Sequence, residues 1–145
     1  MIEYLEPDTD RIAIVLSMLA DAGLPTHDVR ETNTSLYASI NDQTISGAVG
    51  LQDLGNVALL RSLIVSPAHR GQGLGHALTD FARREALTRN FEALYLLTES
   101  AESFFEKHGY KSIARANAPA VVHETPQFSK LCPGSAQLMY ISLTS

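Results

Sequence analysis

The sequence predicts an α+β fold, a mixed and mostly antiparallel central sheet of about seven strands flanked by helices, in one domain covering residues 1–145. Three observations carry this. Two β-like runs, Ser35–Ile40 and Ile45–Leu51, meet across the polar stretch Asn41-Asp42-Gln43-Thr44, and a third, Val57–Val65, follows a turn at Leu54-Gly55-Asn56. Consecutive strands with no helix between them read as antiparallel hairpins, not a βαβ array. The third run then passes through a glycine-rich turn into a helix whose apolar positions, Leu74, Ala77, Leu78, Phe81 and Ala82, fall on one face. Finally, 145 residues with 45% hydrophobic content suffice for one substantial core and are too few for two domains of ordinary size.

The remaining elements follow in order. Ile2–Leu5 reads as a short strand ended by Pro7, after which Asp8 or Thr9 caps a helix. Ile12, Val15, Leu16 and Leu19 share that helix's apolar face, and Gly23 followed by Pro25 closes it. Residues 24–30 are polar and turn-rich and read as a surface loop unless a ligand site lies beneath them. The helix from Leu74 ends near Asn90. Ala93–Leu97 is a strand, Ala101–His108 a short helix capped by Gly109, and Tyr110–Arg115 a strand. Residues 116–134 hold three prolines and a short helix around Ala118–His123, and Gln137–Leu143 alternates as a final strand.

A net charge of −5 and a pI near 5.4 argue against nucleic acid or an anionic membrane as principal partner, since both would be repelled. The single cysteine, Cys132, forms no intrachain disulfide and fits a reducing cytoplasm. A lone thiol of this kind is expected as inert packing rather than as a nucleophile. No basic leader and no stretch of membrane-span length is visible. The five histidines, His27, His69, His76, His108 and His123, include no pair three or four residues apart, so no metal site is expected.

The run Val65-Ser66-Pro67-Ala68-His69-Arg70-Gly71-Gln72-Gly73-Leu74-Gly75-His76 holds the most chemistry. Pro67 stops the strand by removing a ladder donor, and the glycines clear side chains from backbone amides that point at a ligand. The helix behind them offers unpaired N–H groups and a positive dipole end to an anion. A plain turn is the bland alternative. A dinucleotide fingerprint fails on spacing and on the missing acid some 20 residues later, and a P-loop fails because no Lys follows the glycines.

This run resembles the V-x-P-x-x-R-G-x-G-x-G signature of the GNAT superfamily of N-acetyltransferases. A second stretch, from Thr98 through Ala101, Phe104, Phe105 and Gly109 to Tyr110, is similar to that family's N-x-x-A-x-x-F-Y-x-x-x-G-F. The resemblance covers roughly Ser35 to Tyr110. It implies a three-layer α/β fold, acetyl-CoA as donor, and attack of a substrate amine on the thioester. The strands Leu60–Val65 and Ala93–Thr98 would splay apart to receive the pantetheine. The coenzyme set it implies is Leu63, Ile64, Val65, Arg70, Gly71, Gln72, Gly73, Leu74, Gly75, His76, Thr98 and Phe104. A backbone N–H at Leu63 would stabilise the oxyanion, a task for fixed dipoles that needs no particular side chain.

Three positions depart from the family pattern. Its glutamate base falls at Leu59, its tyrosine acid at Phe105, and its helix-leading asparagine at Thr98. Glu99 and Ser100 remain as groups able to relay a proton through water. An α-amine, with a pKa of about 7.7–8.0, is already neutral in roughly one molecule of ten at pH 7, whereas a lysine amine near 10.4 is almost wholly charged. A site without a strong base therefore favours a small amino-acid-like acceptor over a protein lysine.

Arg61 is the charged residue in an otherwise apolar strand, and its fork suits a substrate carboxylate, with Ser62 and Arg30 as further candidates. Alternatively, Arg61 pairs with a structural acid or reaches solvent. Strand alternation puts Arg61 and Leu63 on one face and Ser62 on the other. The stretches Gly23–Asp28, Arg61–Leu63 and Thr125–Ala136 resemble a bacterial branch of arsenic-resistance N-acetyltransferases, which implies an arsenic-containing amino acid as acceptor. Two other functions stay open, a non-enzymatic acyl-CoA sensor and a protein lysine acetyltransferase. A homodimer is compatible with each.

Overall fold

The computed structural model describes residues 1–145 except 8, 27, 31, 127, 129–135 and 145. The Asp8 alternative for the helix cap, His27, Cys132 and most of the 125–136 stretch lie outside the described residues.

Among the described residues the strands form one seven-stranded sheet in the order β1-β2-β3-β4-β5-β7-β6. These are β1 Ile2–Tyr4, β2 Thr34–Asn41, β3 Thr44–Asp53, β4 Ala58–Val65, β5 Ala93–Thr98, β6 Lys111–Ile113 and β7 Gln137–Ser142. All neighbours are antiparallel except β4 and β5. The β2–β3 hairpin turns at Asp42 and Gln43, both with positive φ (49° and 66°). That geometry matches the right-handed twist of the flanking strands.

Helix α1 (Asp10–Asp21) buries Ile12, Val15 and Leu19 against Leu36, Ala38, Ile40 and Ala48 on one face of the sheet. Thr9 occupies the position before it but donates its hydroxyl back to the Glu6 carbonyl (2.9 Å) and makes no side-chain cap. On the other face, α2 (Leu74–Thr88) buries Leu78, Ala82 and Ala86 against Val49, Leu51, Leu60, Leu94 and Leu96. Burying even one such leucine is worth about 1.5–3 kcal/mol, so α2 ties both halves of the sheet together. Helix α3 (Glu102–Glu106) joins this layer through Phe105, and α4 (Ala120–His123) covers β5 and β7 from the α1 side through Val122. Gly47 lies where β3 comes close to both β4 and α2. A Cβ there would sit 2.8 Å from the Ile64 carbonyl oxygen and 3.0 Å from Leu78 Cδ1.

The strand expected over Tyr110–Arg115 is shorter than expected. After Ile113 the chain turns into a 3₁₀ segment, Arg115–Asn117, and the Arg115 guanidinium donates to the Ala136 and Phe128 carbonyls (2.9 and 3.0 Å). Arg115 also lies 4.4 Å over the Phe128 ring. The residue leaves the ladder because its side chain is anchored elsewhere. Among the described residues no helix is long and apolar enough to cross a membrane.

Candidate functional site

The parallel β4–β5 pair lasts two residues, Ala58 opposite Leu94 and Leu59 opposite Tyr95. Beyond it the strands diverge, each held by its outer neighbour, β4 by β3 as far as Val65 and β5 by β7 as far as Thr98. The inner edges from Leu60 and from Leu96 onward therefore face each other across a cavity of about 540 Å³. Its walls are Leu60–Val65, Leu96–Ala101, Phe104, Phe105 and Gly75, with Gly23, Leu24, Pro25 and Ala136 closing the far end. Unpaired strand edges supply donors and acceptors in register with any extended, amide-bearing ligand.

A second cavity continues from the first through Val65, Gly75 and Phe104. It is lined also by His69, Arg70, Gly71, Gly73, Leu74 and His76. Gly71 and Gly73 have φ of 82° and 77°, in the left-handed region that glycine enters without penalty. The first helical bond of α2 runs from the Ala77 N–H to the Gly73 carbonyl, so the N–H groups before it face the cavity side of the helix end. This is the geometry of an anion site. Ser66 Oγ lies 2.6 Å from His69 Nδ1, and Arg70 Nε reaches the Val65 carbonyl (3.4 Å), tying the turn to the strand it follows.

His76 Nδ1 lies 2.7 Å from His108 Nε2, and His108 Nδ1 lies 3.3 Å from Asp80 Oδ1. The His76 ring stacks on Phe104 with centroids 4.7 Å apart, and Phe104 in turn covers Gly75. The two histidines are 32 positions apart in sequence, beyond the reach of any helical-spacing rule. Among the described residues no group of three or more His, Cys, Asp or Glu is arranged to hold a metal ion.

At the opposite end Arg61 is 3% exposed and its fork is filled. Nη1 donates to Asp28 Oδ2 (2.5 Å) and Nη2 to Asp28 Oδ1 (2.6 Å), while Nη1 also reaches Gln52 Oε1 (3.1 Å) and Nε reaches Ser62 Oγ (3.3 Å). Asp28 is 4% exposed. The guanidinium expected to hold a substrate carboxylate thus holds one from the α1–β2 loop, 33 residues earlier, and pins that loop over the cavity mouth. Asp28 and Gln52 were missed because nothing local ties either to Arg61.

The expected side-chain alternation also fails here. Ser62 has φ 58°, and the β3–β4 register slips between Ala48 and Gly50, so one residue of β3 spans two of β4. This β-bulge shifts the phase of the strand by one residue. Arg61 remains on the α1 side, opposite Gly50 and near Leu36, whereas Leu63 turns to the α2 side with Leu60 and Val65.

The other expected site residues divide plainly. Leu63, Ile64, Val65, Thr98, Glu99, Ser100 and Phe104 line the cavity between the strands, together with Arg61 and Ser62. Arg70, Gly71, Gly73, Leu74, Gly75 and His76 line the phosphate-like cavity. Gln72 and Arg30 are exposed and line neither. Thr98 Oγ1 accepts from the Ala101 N–H (3.0 Å) and so shapes the turn into α3. Leu59 is 1% exposed within the core, and Phe105 is packed edge-on between Phe104 and Tyr110. The Tyr110 hydroxyl is buried without a hydrogen-bond partner, and burial pushes its pKa up.

Comparison with known proteins gives a consistent picture. A family model described as an acetyltransferase (GNAT) domain matches residues 32–112. A streptothricin acetyltransferase of Escherichia coli is 27% identical over 111 residues, covering 70% of this chain and 64% of the relative. An amino-acid acetyltransferase of Mycobacterium tuberculosis is 32% identical over 80 residues, covering 55% and 41%. The chain therefore spans less than two thirds of the curated relatives it matches. A GNAT-family acetyltransferase from Staphylococcus aureus superposes with a TM-score of 0.75 at 22% identity, covering 99% of this chain and 100% of that one. The N-acetylglutamate synthase of Neisseria gonorrhoeae, solved with coenzyme A and N-acetyl-glutamate, superposes at 0.76 with 15% identity over 100% of this chain and 36% of its own.

Proposed function

Because the chain belongs to the GNAT acetyltransferase family, we propose that it transfers an acetyl group from acetyl-CoA to the amine of a small-molecule acceptor, acting as one cytoplasmic domain over residues 1–145. The observation that carries this reading is the opening of β4 from β5 directly upstream of the glycine turn, which joins an extended cleft to an anion site. The residues fit the donor. Gly71, Gly73 and the α2 end would hold its phosphates, and the free edge of Leu63–Val65 would hold its pantetheine amides. Bound there, acetyl-CoA supplies an activated acetyl thioester.

The chain's own contribution is mainly positional. Ser62 and Leu63 leave the regular ladder at the bulge, which frees a backbone N–H beside the cavity to stabilise charge developing on a carbonyl oxygen. Leu24, Pro25, Leu63 and Phe105 keep the centre apolar, which strengthens that interaction. Glu99 and Ser100, exposed at the cavity edge, are placed to pass an amine proton to water. Leu59 offers no base and Phe105 no proton, so the reaction draws on the acceptor's own free-base fraction, which is larger for an α-amine than for a lysine amine.

The amino-acid acetyltransferase relative supports an amino-acid-like acceptor, and the arsenic-containing amino acid is the narrower form of this reading. A carboxylate-bearing acceptor would reach Arg61 by displacing Asp28, exchanging one carboxylate for another on the same fork. The test is acceptor-dependent thiol release from acetyl-CoA with a panel of amino acids, their amides, simple amines and an arsenic-containing amino acid. Coenzyme binding with no acetylation of any of them would replace this reading by the acyl-CoA sensor that Leu59 and Phe105 favour. Acetylated protein lysines with untouched free amines would replace it by a protein acetyltransferase.

A further inference from the structure

Three side chains at the phosphate end, one of them the cavity-lining His76, have no proton-handling role in the reading above. His76 opens the first turn of α2 beside the glycine turn, Asp80 lies one turn on, and His108 follows α3. A separation of 2.7 Å between two ring nitrogens requires that one of them carry the proton and the other accept it. The carboxylate 3.3 Å from His108 Nδ1 favours an N–H at that nitrogen. His108 Nε2 is then the acceptor and His76 Nδ1 the donor. In the uncharged chain this leaves a lone pair on His76 Nε2, on a ring that lines the cavity of Gly71, Gly73 and Gly75. A lone pair repels a phosphate oxygen. One proton added there makes a donor, and its charge is shared along the hydrogen bond to His108 and balanced by Asp80. Phe104 fixes the ring from the other side. Among the described residues the remaining charged or titratable groups lining this cavity are His69, engaged with Ser66, and the exposed Arg70, whose Nε alone reaches the Val65 carbonyl.

We propose that the Asp80–His108–His76 chain couples coenzyme binding to the uptake of one proton, with His76 Nε2–H donating to a phosphate oxygen of the incoming ligand. The balance is simple. One proton leaves the buffer for His76 Nε2, and no covalent bond is made or broken. The inference rests on the acetyl-CoA reading above, and its measurement is of binding rather than turnover.

Titration calorimetry of the full chain with coenzyme A, run near neutral pH in buffers of different ionisation enthalpy, reads the proton number as the slope of the observed enthalpy. We expect a wild-type slope corresponding to uptake approaching one proton. His76→Gln should abolish that slope and weaken coenzyme A by roughly tenfold, the size of a lost charged hydrogen bond, and His108→Gln and Asp80→Asn should each reduce the slope. A wild-type slope of zero, or a slope unchanged in His76→Gln, overturns the proposal, and so does weaker binding with an unchanged slope, which marks a merely structural histidine. Absence of binding by the folded wild-type chain would remove the acetyl-CoA reading itself, and this inference with it. His76 and Asp80 are exposed, so the substitutions at these two positions leave the core untouched.

Discussion

The two ends of the cleft handle charge in opposite ways. At the phosphate end the groups meant for an anion, a run of backbone N–H groups and the His76 ring, stand open to solvent and lie close together in sequence. At the acceptor end the strongest cation, Arg61, is sealed from solvent, and its bidentate edge is already taken by Asp28. A backbone-built site comes ready-made from a contiguous stretch. One built on a buried ion pair depends on residues that meet only in the fold, and that pair first has to hold the fold.

The sharpest way to break this contrast is to cut the pair. Asp28→Ala and Arg61→Ala should each lower unfolding free energy by about 3–5 kcal/mol, because either leaves a buried charge without its partner. Replacing both with apolar residues of similar size should recover most of that loss. Urea unfolding of the two single variants and the double variant measures it. Singles within about 1 kcal/mol of wild type, the range of surface pairs, would mean that the acceptor end is as open as the phosphate end.

A smaller effect is expected at the other end. Gly73→Ala forces a Cβ into φ 77° in otherwise open space, so its cost should be the backbone term alone, roughly 1–2 kcal/mol. Coenzyme affinity should fall with it as the turn relaxes. Unchanged affinity in calorimetry would show that side chains, not the turn's backbone, hold the anion.

The smallest effect is a control from neither end. Tyr110→Phe deletes a buried hydroxyl without a partner and should raise stability by about 1 kcal/mol. It should also soften alkaline unfolding. Burial raises the Tyr110 pKa above its ordinary 10.0, so above that pH the unfolded chain loses a proton that the folded chain keeps, and stability falls as pH rises. Tyr37 and Tyr95 are shifted the same way, mainly by burial, so the variant should retain part of the alkaline loss. Thermal melts across that range would decide it.

What was legible in the sequence follows the same division. The hairpin, the β4–turn–α2 unit and the final strand each declare themselves through local periodicity or through Gly and Pro, and the structure places them within a residue or two. Arg115 was not legible as the end of β6, since its hold on Ala136 and Phe128 is a tertiary fact. Nor was the Arg61–Leu63 phase. Alternation assumes a continuous ladder, and one residue with positive φ at Ser62 overrides it. The Asp28–Arg61 and His76–His108 meetings are likewise products of topology, joining elements far apart in the chain.

The two-residue length of the β4–β5 pairing has a thermodynamic side. Strands β1–β4 and strands β5–β7 pair through Ala58–Leu94 and Leu59–Tyr95, with Asn56 bonded to Glu92 just below and α2 bridging one face, so the sheet resembles a zipper closed only at its base. A ligand lying along both open edges would add the missing teeth. Its concentration then enters the folding equilibrium directly, by about 2.7 kcal/mol at one hundred times its dissociation constant. Those amide protons of Leu63–Val65 and Leu96–Thr98 that face the gap, rather than β3 or β7, should report this first, exchanging quickly in the free chain and slowing as the ligand closes it.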